Sequence, residues 1–556
     1  MKTLYLLILV GMLSLTSSSS IGQTMDYQWS LSFSDIGDEE ISHIETDNTG
    51  ASFLVFKTNE SITISTEEGE VIVDDMSALL KVSASGEILW AKPIDFTIIG
   101  MRCDLSNNDL ILVGQYNGIV DLDPGSGIFM TTTSASFMSR LNSDGEAIWI
   151  KILNPTTDIL NPAPEIIVEN LVLDHENNIV IYLKSYGNWD ADLNDGSELI
   201  EIPFSDGGAL VVVRYTSEGA FLNEYHTVME ILSIQKTQLQ INDAGEFLLS
   251  ALIFGDIDFN QELNGGELLV NPFYLYNTFI LQLNSDLVYD WHQHLYGTEL
   301  TPISIQSYNS KWYVSFYFDG EMDVSFGPVE TLITGEGDIL YSIDQSGAEI
   351  SHIQSDLNLE TISLKVVENN LVIMGWLFGV IDLDPSEVSE IFSSAFGGAD
   401  AIMIFLDENL NYLAHEEMIG LSFDQVEEME YTNAGEIYVK GTYTSDTFQA
   451  QEGGTLHQEA PMSNSFLVKY DFTTFLSEKT KHPLEIFPNP ATTELYIKNP
   501  FDKPIQCNIY SSTGSIQESF LLKTNTNTIS VEHLSPGLYI LTIPELQNSS
   551  GRFVIR

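Results

Sequence analysis

One supersecondary unit is written about seven times along this chain, and a repeated unit of that size must either stack into an open array or close into a ring. The clearest copy runs from Asn107 to Trp149. It opens with the apolar run Leu110-Ile111-Leu112-Val113 and passes Gly114, Gly118 and the turn Asp121-Leu122-Asp123-Pro124-Gly125. A second extended run from Phe137 to Leu141 then leads through Asn142-Ser143-Asp144-Gly145 into a strand carrying Trp149. Seven anchors align on the third strand, with central residues Lys81, Arg140, Arg214, Gln282, Ser342, Phe405 and Lys469. Successive anchors lie between 59 (Lys81 to Arg140) and 74 (Arg140 to Arg214) residues apart.

After the anchor a glycine recurs at one offset in four units, Gly86, Gly145, Gly219 and Gly347, where a tight hairpin needs a positive φ. The next strand carries Trp90, Trp149 and Trp291 in three units, and weaker apolar residues are expected at that position elsewhere. Ahead of each anchor lies a nearly unbroken apolar run, as in Ile179 to Leu183, Phe247 to Phe254, Trp312 to Phe318 and Leu371 to Leu377. A strand buried on both faces reads this way, whereas a sheet with one wet face alternates. Each unit is therefore expected to be a four-stranded antiparallel sheet packed between its neighbours.

The chain ends choose between stack and ring. Tyr27 to Phe33, with Trp29 in the tryptophan position, reads as a fourth strand with no unit before it. The last unit runs from Lys469 into Phe472-Thr473-Thr474-Phe475 with no good fourth strand. Completing the last sheet with the first strand removes both edges and predicts an all-β, seven-bladed β-propeller closed by its N-terminal strand. A small C-terminal β-sandwich should follow, because 483–556 holds about seven short strands and a different composition.

Composition narrows the partners. Lys plus Arg number 21 against 80 Asp plus Glu, a formal charge of −59. Such a surface repels phosphate backbones and anionic membranes, so nucleic acid is excluded as an expected partner. Only Cys103 and Cys507 are present, assigned to different domains, so packing and not disulfides must hold the fold.

Met1-Lys2-Thr3, the apolar Leu4 to Leu15 and the small, polar Thr16 to Gly22 form the three regions of a secretory signal peptide. Cleavage is expected between Gly22 and Gln23. The apolar run falls short of the roughly 20 residues that span a bilayer, and no cysteine follows it for lipid anchoring. No other transmembrane span is expected. The domain reading is 1–22 signal peptide, 23–475 propeller, 476–482 linker and 483–556 C-terminal module.

Candidate chemistry is sparse. Asp190-Ala191-Asp192-Leu193-Asn194-Asp195-Gly196, with Glu201 beyond, could form an oxygen-rich calcium loop, but Asp195 sits where the helix-flanked loop requires Gly. An Asp/Gly turn is the expectation, with weak calcium binding as the alternative. Asp121 and Asp123, Asp256 and Asp258, and Asp382 and Asp384 are read likewise, as turn formers accepting backbone N–H groups. His292 and His294 project from one strand face without a third ligand at a recognisable spacing. Paired carboxylates for glycoside cleavage are set in space and not in sequence. No nucleophile elbow, phosphate-binding loop or zinc-protease helix is present. Trp90, Trp149, Trp291, Trp189, Trp312 and Trp376 are read as core.

Two resemblances follow from these motifs. The turn Asp144-Gly145-Glu146-Ala147-Ile148-Trp149 resembles the docking turn of pyrroloquinoline-quinone-type propellers, and the fuller unit resembles bacterial propeller repeats of large exported proteins. That likeness covers roughly Tyr27 to Phe475; its Asp-Leu-Asp-Pro turn is clean at Asp121 and Asp382, and it implies a fold without a reaction.

The end of the chain is more specific. Phe487-Pro488-Asn489-Pro490-Ala491, Leu495-Tyr496-Ile497, Ile509-Tyr510-Ser511-Ser512-Thr513-Gly514 and Leu534-Ser535-Pro536-Gly537-Leu538-Tyr539-Ile540 resemble, in order, the C-terminal sorting domain of type IX secretion substrates in Bacteroidetes-like bacteria. Ser515-Ile516 stands where that family usually places a Lys or Arg. The resemblance implies handling by the type IX machinery, passage through the outer membrane, removal of the module, and release or attachment to surface lipopolysaccharide. Its motif positions are Pro488, Asn489, Pro490, Ala491, Gly514 and Gly537.

These readings converge on a secreted or surface-attached propeller acting as a non-enzymatic binding or adhesion module for an extracellular glycan or protein. A polysaccharide-active enzyme with carboxylates at the ring's funnel is the alternative. No cofactor is expected.

Overall fold

The computed structural model describes residues 24–555 except 34–38, 75, 154–164, 195–197, 201–208, 230–232, 255–256, 260–267, 270–275, 296, 324–330, 355–358, 383–391, 421–423, 433–434, 445–446, 452–453, 458–463, 474–484, 488–490, 492, 500–504, 512–515, 536 and 543–549. All regular structure among the described residues is β. Seven four-stranded antiparallel blades form the body of the chain. Blade 1 is Glu39–Thr46, Ser52–Thr58, Ser77–Val82 and Ile88–Ile94; blade 2 is Thr97–Asp104, Asp109–Tyr116, Ala135–Leu141 and Ala147–Leu153. Blade 3 is Ile166–Leu173, Ile179–Ser185, Ala209–Tyr215 and Phe221–His226; blade 4 is Ser233–Ile241, Phe247–Phe254, Tyr276–Leu283 and Tyr289–Leu295. Blade 5 is Gly297–Tyr308, Lys311–Asp323, Leu332–Asp344 and Glu349–Gln354; blade 6 is Leu359–Val367, Asn370–Asp382, Phe392–Leu406 and Tyr412–Gly420.

Blade 7 takes three strands from the end of the body, Asp424–Tyr431, Glu436–Tyr443 and Asn464–Thr473, and its fourth from the start, Thr24–Phe33. Trp29 pairs with Lys469 in that seam. The first strands of successive blades touch one another all the way round, blade 7 meeting blade 1, so the ring is closed as the chain ends predict.

The core lies between blades. Ile179, Val180, Ile181, Tyr182 and Leu183 on a second strand are all fully buried, as an apolar run without alternation requires. One cluster joins Trp29, Leu31 and Phe33 of blade 7 to Ile41, Leu54, Phe56 and Leu80 of blade 1. Each such aliphatic side chain contributes about 1.5–3 kcal/mol on leaving water, so every blade is held by its neighbours.

Two polar devices lock this packing. The anchor side chain reaches the turn of the next blade: Lys81 Nζ donates to Ser143 O (3.3 Å), Arg140 Nη1 to Ser217 O (2.8 Å), Arg214 Nη2 to Ser285 O (2.5 Å), Gln282 Nε2 to Gln345 O (3.2 Å) and Lys469 Nζ to Ala84 O (3.1 Å). Carboxylates neutralise the cations, as with Arg140 on Asp109 at 2.8 Å and Lys469 on Glu436 at 2.6 Å. The tryptophan opposite the anchor packs on that same turn, and Trp29 and Trp291 donate from Nε1 to Ala84 O and Gln345 O.

One sequence expectation needs correction. The tryptophan position holds Asn223, Ser351 and Ala414 in blades 3, 5 and 6, opposite Arg214, Ser342 and Phe405. Ala414 is a weaker apolar residue, as expected, and is buried, whereas Asn223 and Ser351 are polar. After the first two, the next turn carries Leu287 (φ 59°) and Leu410 (φ 65°) in place of glycine. Both leucines are buried.

The connection between the second and third strands folds back across the preceding blade's outer strand. In blade 2 its Val120 and Leu122 enter a core with Trp90 and Ile94 of blade 1. In blade 3 Trp189 and Ala191 pack near Trp149 of blade 2. In blade 7 Ile419 and Gly420 of blade 6 pair with Gln449 and Phe448. These straps shield edges that would otherwise stand open.

At the C-terminal end, Glu485–Phe487, Glu494–Asn499 and Asn525–Ser530 form one sheet, and Ile516–Leu522, Ile505–Ser511, Gly537–Thr542 and Ser550–Ile555 another. Leu495, Ile497, Cys507, Ile509 and Leu541 share the buried centre of this sandwich. Both cysteines are buried thiols.

Candidate functional site

Seven first strands face one axis, and each is kinked by a bulge at the same place: Ile41/His43, Ile98/Gly100, Val168/Asn170, Gln235/Gln238, Pro302/Ser304, Thr361/Ser363 and Val426/Glu428. A bulge bends the strand and redirects the side chains after it. The second residue past each bulge is apolar and buried: Ile44, Met101, Leu171, Leu239, Ile305, Leu364 and Met429. The third residues are Glu45, Arg102, Val172, Gln240, Gln306, Lys365 and Glu430.

At this third position charge falls in four consecutive blades, 6, 7, 1 and 2, in the order Lys365, Glu430, Glu45, Arg102. Lys365 Nζ meets Glu430 Oε1 at 2.7 Å, and Arg102 Nη1 meets Glu45 Oε1 at 2.7 Å. The two anions face each other across the seam where the ring closes. The Arg102 side chain keeps 36% of its accessible area, so this end of the pair is open to solvent. Glu45 Oε2 also accepts the Cys103 N–H at 3.3 Å.

Burial pushes the Glu45 carboxyl up to about 7 against the pull of Arg102, and Glu430 adds to the rise. Burial also raises Glu428, opposed by Lys440 and reinforced by Glu430. Burial pulls Lys365 down, but the charge and hydrogen bond of Glu430, with Glu428 adding, together leave it above its usual range. His43, whose Nε2 lies 3.1 Å from Ile99 O, is held down to about 4 by burial. Further along the channel wall Lys184 pairs with Glu169 at 2.6 Å, and Glu169 accepts from Thr237 Oγ1 at 3.2 Å. Away from the axis, a polar cleft of about 250 Å3 lies between blades 4 and 5, lined by Asn242, Asp243, Ala244, Ser307, Ser310 and Gln345.

The aspartate motifs act in the straps. Asp121 Oδ1 accepts Asp123 N (3.1 Å) and Phe129 N (2.7 Å), and Asp123 Oδ1 accepts Gly125 N (2.8 Å). Asp190 repeats this with Asp192 N (3.1 Å) and Glu198 N (2.7 Å), and Asp192 with Asn194 N (3.0 Å). Asp323 accepts Thr331 N eight residues on, the spacing of Asp121 to Phe129. Asp195, Gly196, Glu201, Asp256 and Asp384 lie outside the described residues. Among the described residues no three His, Cys, Asp or Glu side chains gather as a cation site. His292 stacks on Phe259 at 4.3 Å and contacts Tyr289 Oη through Nδ1 at 3.0 Å; burial holds His294 down to about 4. Trp189 and Trp312 are fully buried, while Trp376 is half-buried and donates to Val426 O at 2.8 Å.

The channel charges were missed by reading each strand alone. Aligning the first strands on the residue before their turn would have brought Glu45, Arg102, Lys365 and Glu430 into register.

Of the sorting positions, Ala491 is buried and bridges to Ile555, and Gly537 opens a strand. Pro488, Asn489, Pro490, Gly514, Gly22 and Gln23 lie outside the described residues. Residues 485–556 match the family described as the secretion system C-terminal sorting domain. The chain carries a type IX sorting domain. That domain indicates export, with secretion or attachment at the cell surface as its outcome. Among the described residues no helix is long and apolar enough to cross a membrane.

No curated protein matches the chain. Similar solved structures include a protein of unknown function from Bacteroides caccae, with 10% identity over 61% of this chain and 89% of that one and a TM-score of 0.31. Another, from Dyadobacter fermentans, has 8% identity, 82% and 99% coverage and a TM-score of 0.33. Drosophila semaphorin 2a has 8% identity, 94% and 97% coverage and a TM-score of 0.38.

Proposed function

We propose that this exported propeller is a non-enzymatic binding or adhesion module for an extracellular glycan or protein. In this reading the leader is cut between Gly22 and Gln23. The ring spans 23–475, and after a linker at 476–482 the module 483–556 is read by the type IX machinery through Pro488, Asn489, Pro490, Ala491, Gly514 and Gly537. The observation that carries it is the pairing of the channel's charges. Lys365 with Glu430 and Arg102 with Glu45 neutralise each other across blades, and the strap carboxylates of Asp121 and Asp190 are occupied by backbone N–H groups. Carboxylates so engaged support the ring more directly than they serve bond cleavage.

A second reading, a polysaccharide-active enzyme, draws support from Glu45, whose carboxyl is raised to about 7 beside Glu430; perturbed acids gather at catalytic sites. Glycan-array binding together with a reducing-sugar release assay separates the two. Binding without release supports the module. Release that is lost in Glu45→Gln makes the chain an enzyme.

A further inference from the structure

The strap of blade 2 closes on an isolated antiparallel bridge whose outer side is uncovered. Met130 bridges to Asp121, and the flanking hydrogen bonds are Leu122 N to Phe129 O (3.0 Å) and Thr131 N to Val120 O (2.9 Å). In an antiparallel pair of this kind the N–H and C=O of Met130 point away from the partner segment. Among the described residues no hydrogen bond takes up these groups. The side chains along the edge are also open: Ile128 is 79% exposed, Met130 53% and the adjoining Ile119 74%.

The composition here departs from the rest of the chain. From Pro124 to Ser139 sixteen consecutive residues carry no ionisable side chain, in a protein whose residues are 18% charged. Exposed edges are ordinarily guarded by charge, proline or a covering element. Blade 1 shows the guarded form: its strap strand Gly69–Asp74 exposes Ile72 but carries Glu70 and Asp74. The edge at Ile128–Thr132 has no such guard.

We propose that this edge receives an extended polypeptide segment of another protein, added as a further strand, with alternating apolar or hydroxyl side chains and basic residues at its ends. An outward N–H and C=O on one extended residue, set between exposed apolar side chains, are matched by an extended peptide more fully than by a sugar. The basic flanks follow from charge, because 80 acidic against 21 basic residues surround a neutral strip. A second copy of the chain would bring two strongly anionic bodies together and is the less favoured occupant. The inference deepens the binding reading by naming a partner class for one surface.

The probe is dye-labelled acetyl-Lys-Thr-Val-Thr-Val-Lys-amide, titrated onto the purified full chain by fluorescence anisotropy. Saturable binding is expected, at least about tenfold weaker when alternate backbone nitrogens are methylated or when the terminal lysines are replaced by glutamates. Ile128→Lys with Met130→Lys, and separately Met130→Pro, should lower affinity about tenfold with the thermal midpoint unchanged, since these side chains stand in solvent. Equal binding by the methylated peptide, equal binding by both variants, or no binding at all overturns the proposal. A dimer in sedimentation that Met130→Lys abolishes also overturns it, by giving the edge to a second copy. Failure here alongside a positive glycan array leaves the binding module intact; failure of both removes it.

Discussion

The indole of Trp29 lies against the backbone of Gly86, so close that a Cβ on that glycine would stand 2.9 Å from Trp29 Cδ2. Gly86 also has φ +90°, where an L side chain costs about 1–2 kcal/mol. The contact joins the first strand of the chain to blade 1 and fastens the seam. Gly86→Ala should therefore lose that increment plus the cost of displacing the indole, and Trp29→Ala about 3–5 kcal/mol. In urea unfolding the two losses should be less than additive, because without the indole only the backbone term remains. Additive losses would mean that the ring and the glycine do not bear on one another.

The same logic makes the Leu287 blade a natural counter-case. Asn223 occupies the tryptophan position and donates to Asp286 O at 2.7 Å, next to Leu287, which is buried at φ 59°. Leu287→Gly relieves a strained backbone but empties a buried site, for a net loss of about 1–3 kcal/mol. Adding Asn223→Trp should recover most of it, giving a double variant more stable than Leu287→Gly alone. Thermal unfolding of the three variants decides whether indole and glycine form an exchangeable pair.

The interblade clasps predict where charge matters. Arg140 touches Asp104, Asp109 and the Ser217 carbonyl from a buried position. Arg140→Met strands two carboxylates, and removing one member of a buried ionic group costs roughly 3–5 kcal/mol. Lys57→Met removes only the exposed 3.5 Å contact with Glu40 and should fall within roughly 0–1 kcal/mol. Similar values for the two in chemical denaturation would show that the anchor cation is ornamental.

Much of this was legible in one dimension because the repeat is local: the apolar runs before Lys81, Arg140 and Arg214, the glycines after them, and the unmatched strand at Trp29 each lie within a few residues of their signal. The straps were half legible. Asp121-Leu122-Asp123-Pro124 announced a turn, but nothing in its neighbours says that Leu122 packs beside Trp90 of the preceding blade. The channel was not legible, since Glu45 and Glu430 are far apart in the chain and meet only after circular closure. A lone Glu on an apolar strand looks like a solvated residue until its six counterparts are aligned. The Asn223 and Ser351 positions failed for the opposite reason: the period was right, but the residue type changed, and the next turn carries a buried Leu287 or Leu410 at positive φ where other blades have glycine.

Glu45 gives the channel a pH signature. Its carboxyl titrates near 7 in the folded chain against an ordinary 4.5, so between those values the folded state holds more protons than the unfolded one. Stability from this group is full below about 4.5, falls as pH rises through the window, and is lost above 7. His43 and His294, held near 4 by burial, run the other way, losing stability as pH drops from 6.5. The overall slope is therefore a mixture, whereas the difference between wild type and Glu45→Gln isolates one carboxyl. The amide of that variant would keep an acceptor for Arg102 without the buried charge. Relative to wild type, the variant should gain stability as pH rises from about 4.5 to about 7.5. Urea denaturation across that range reads the difference, and a gap independent of pH would mean that Arg102 keeps Glu45 ionised throughout.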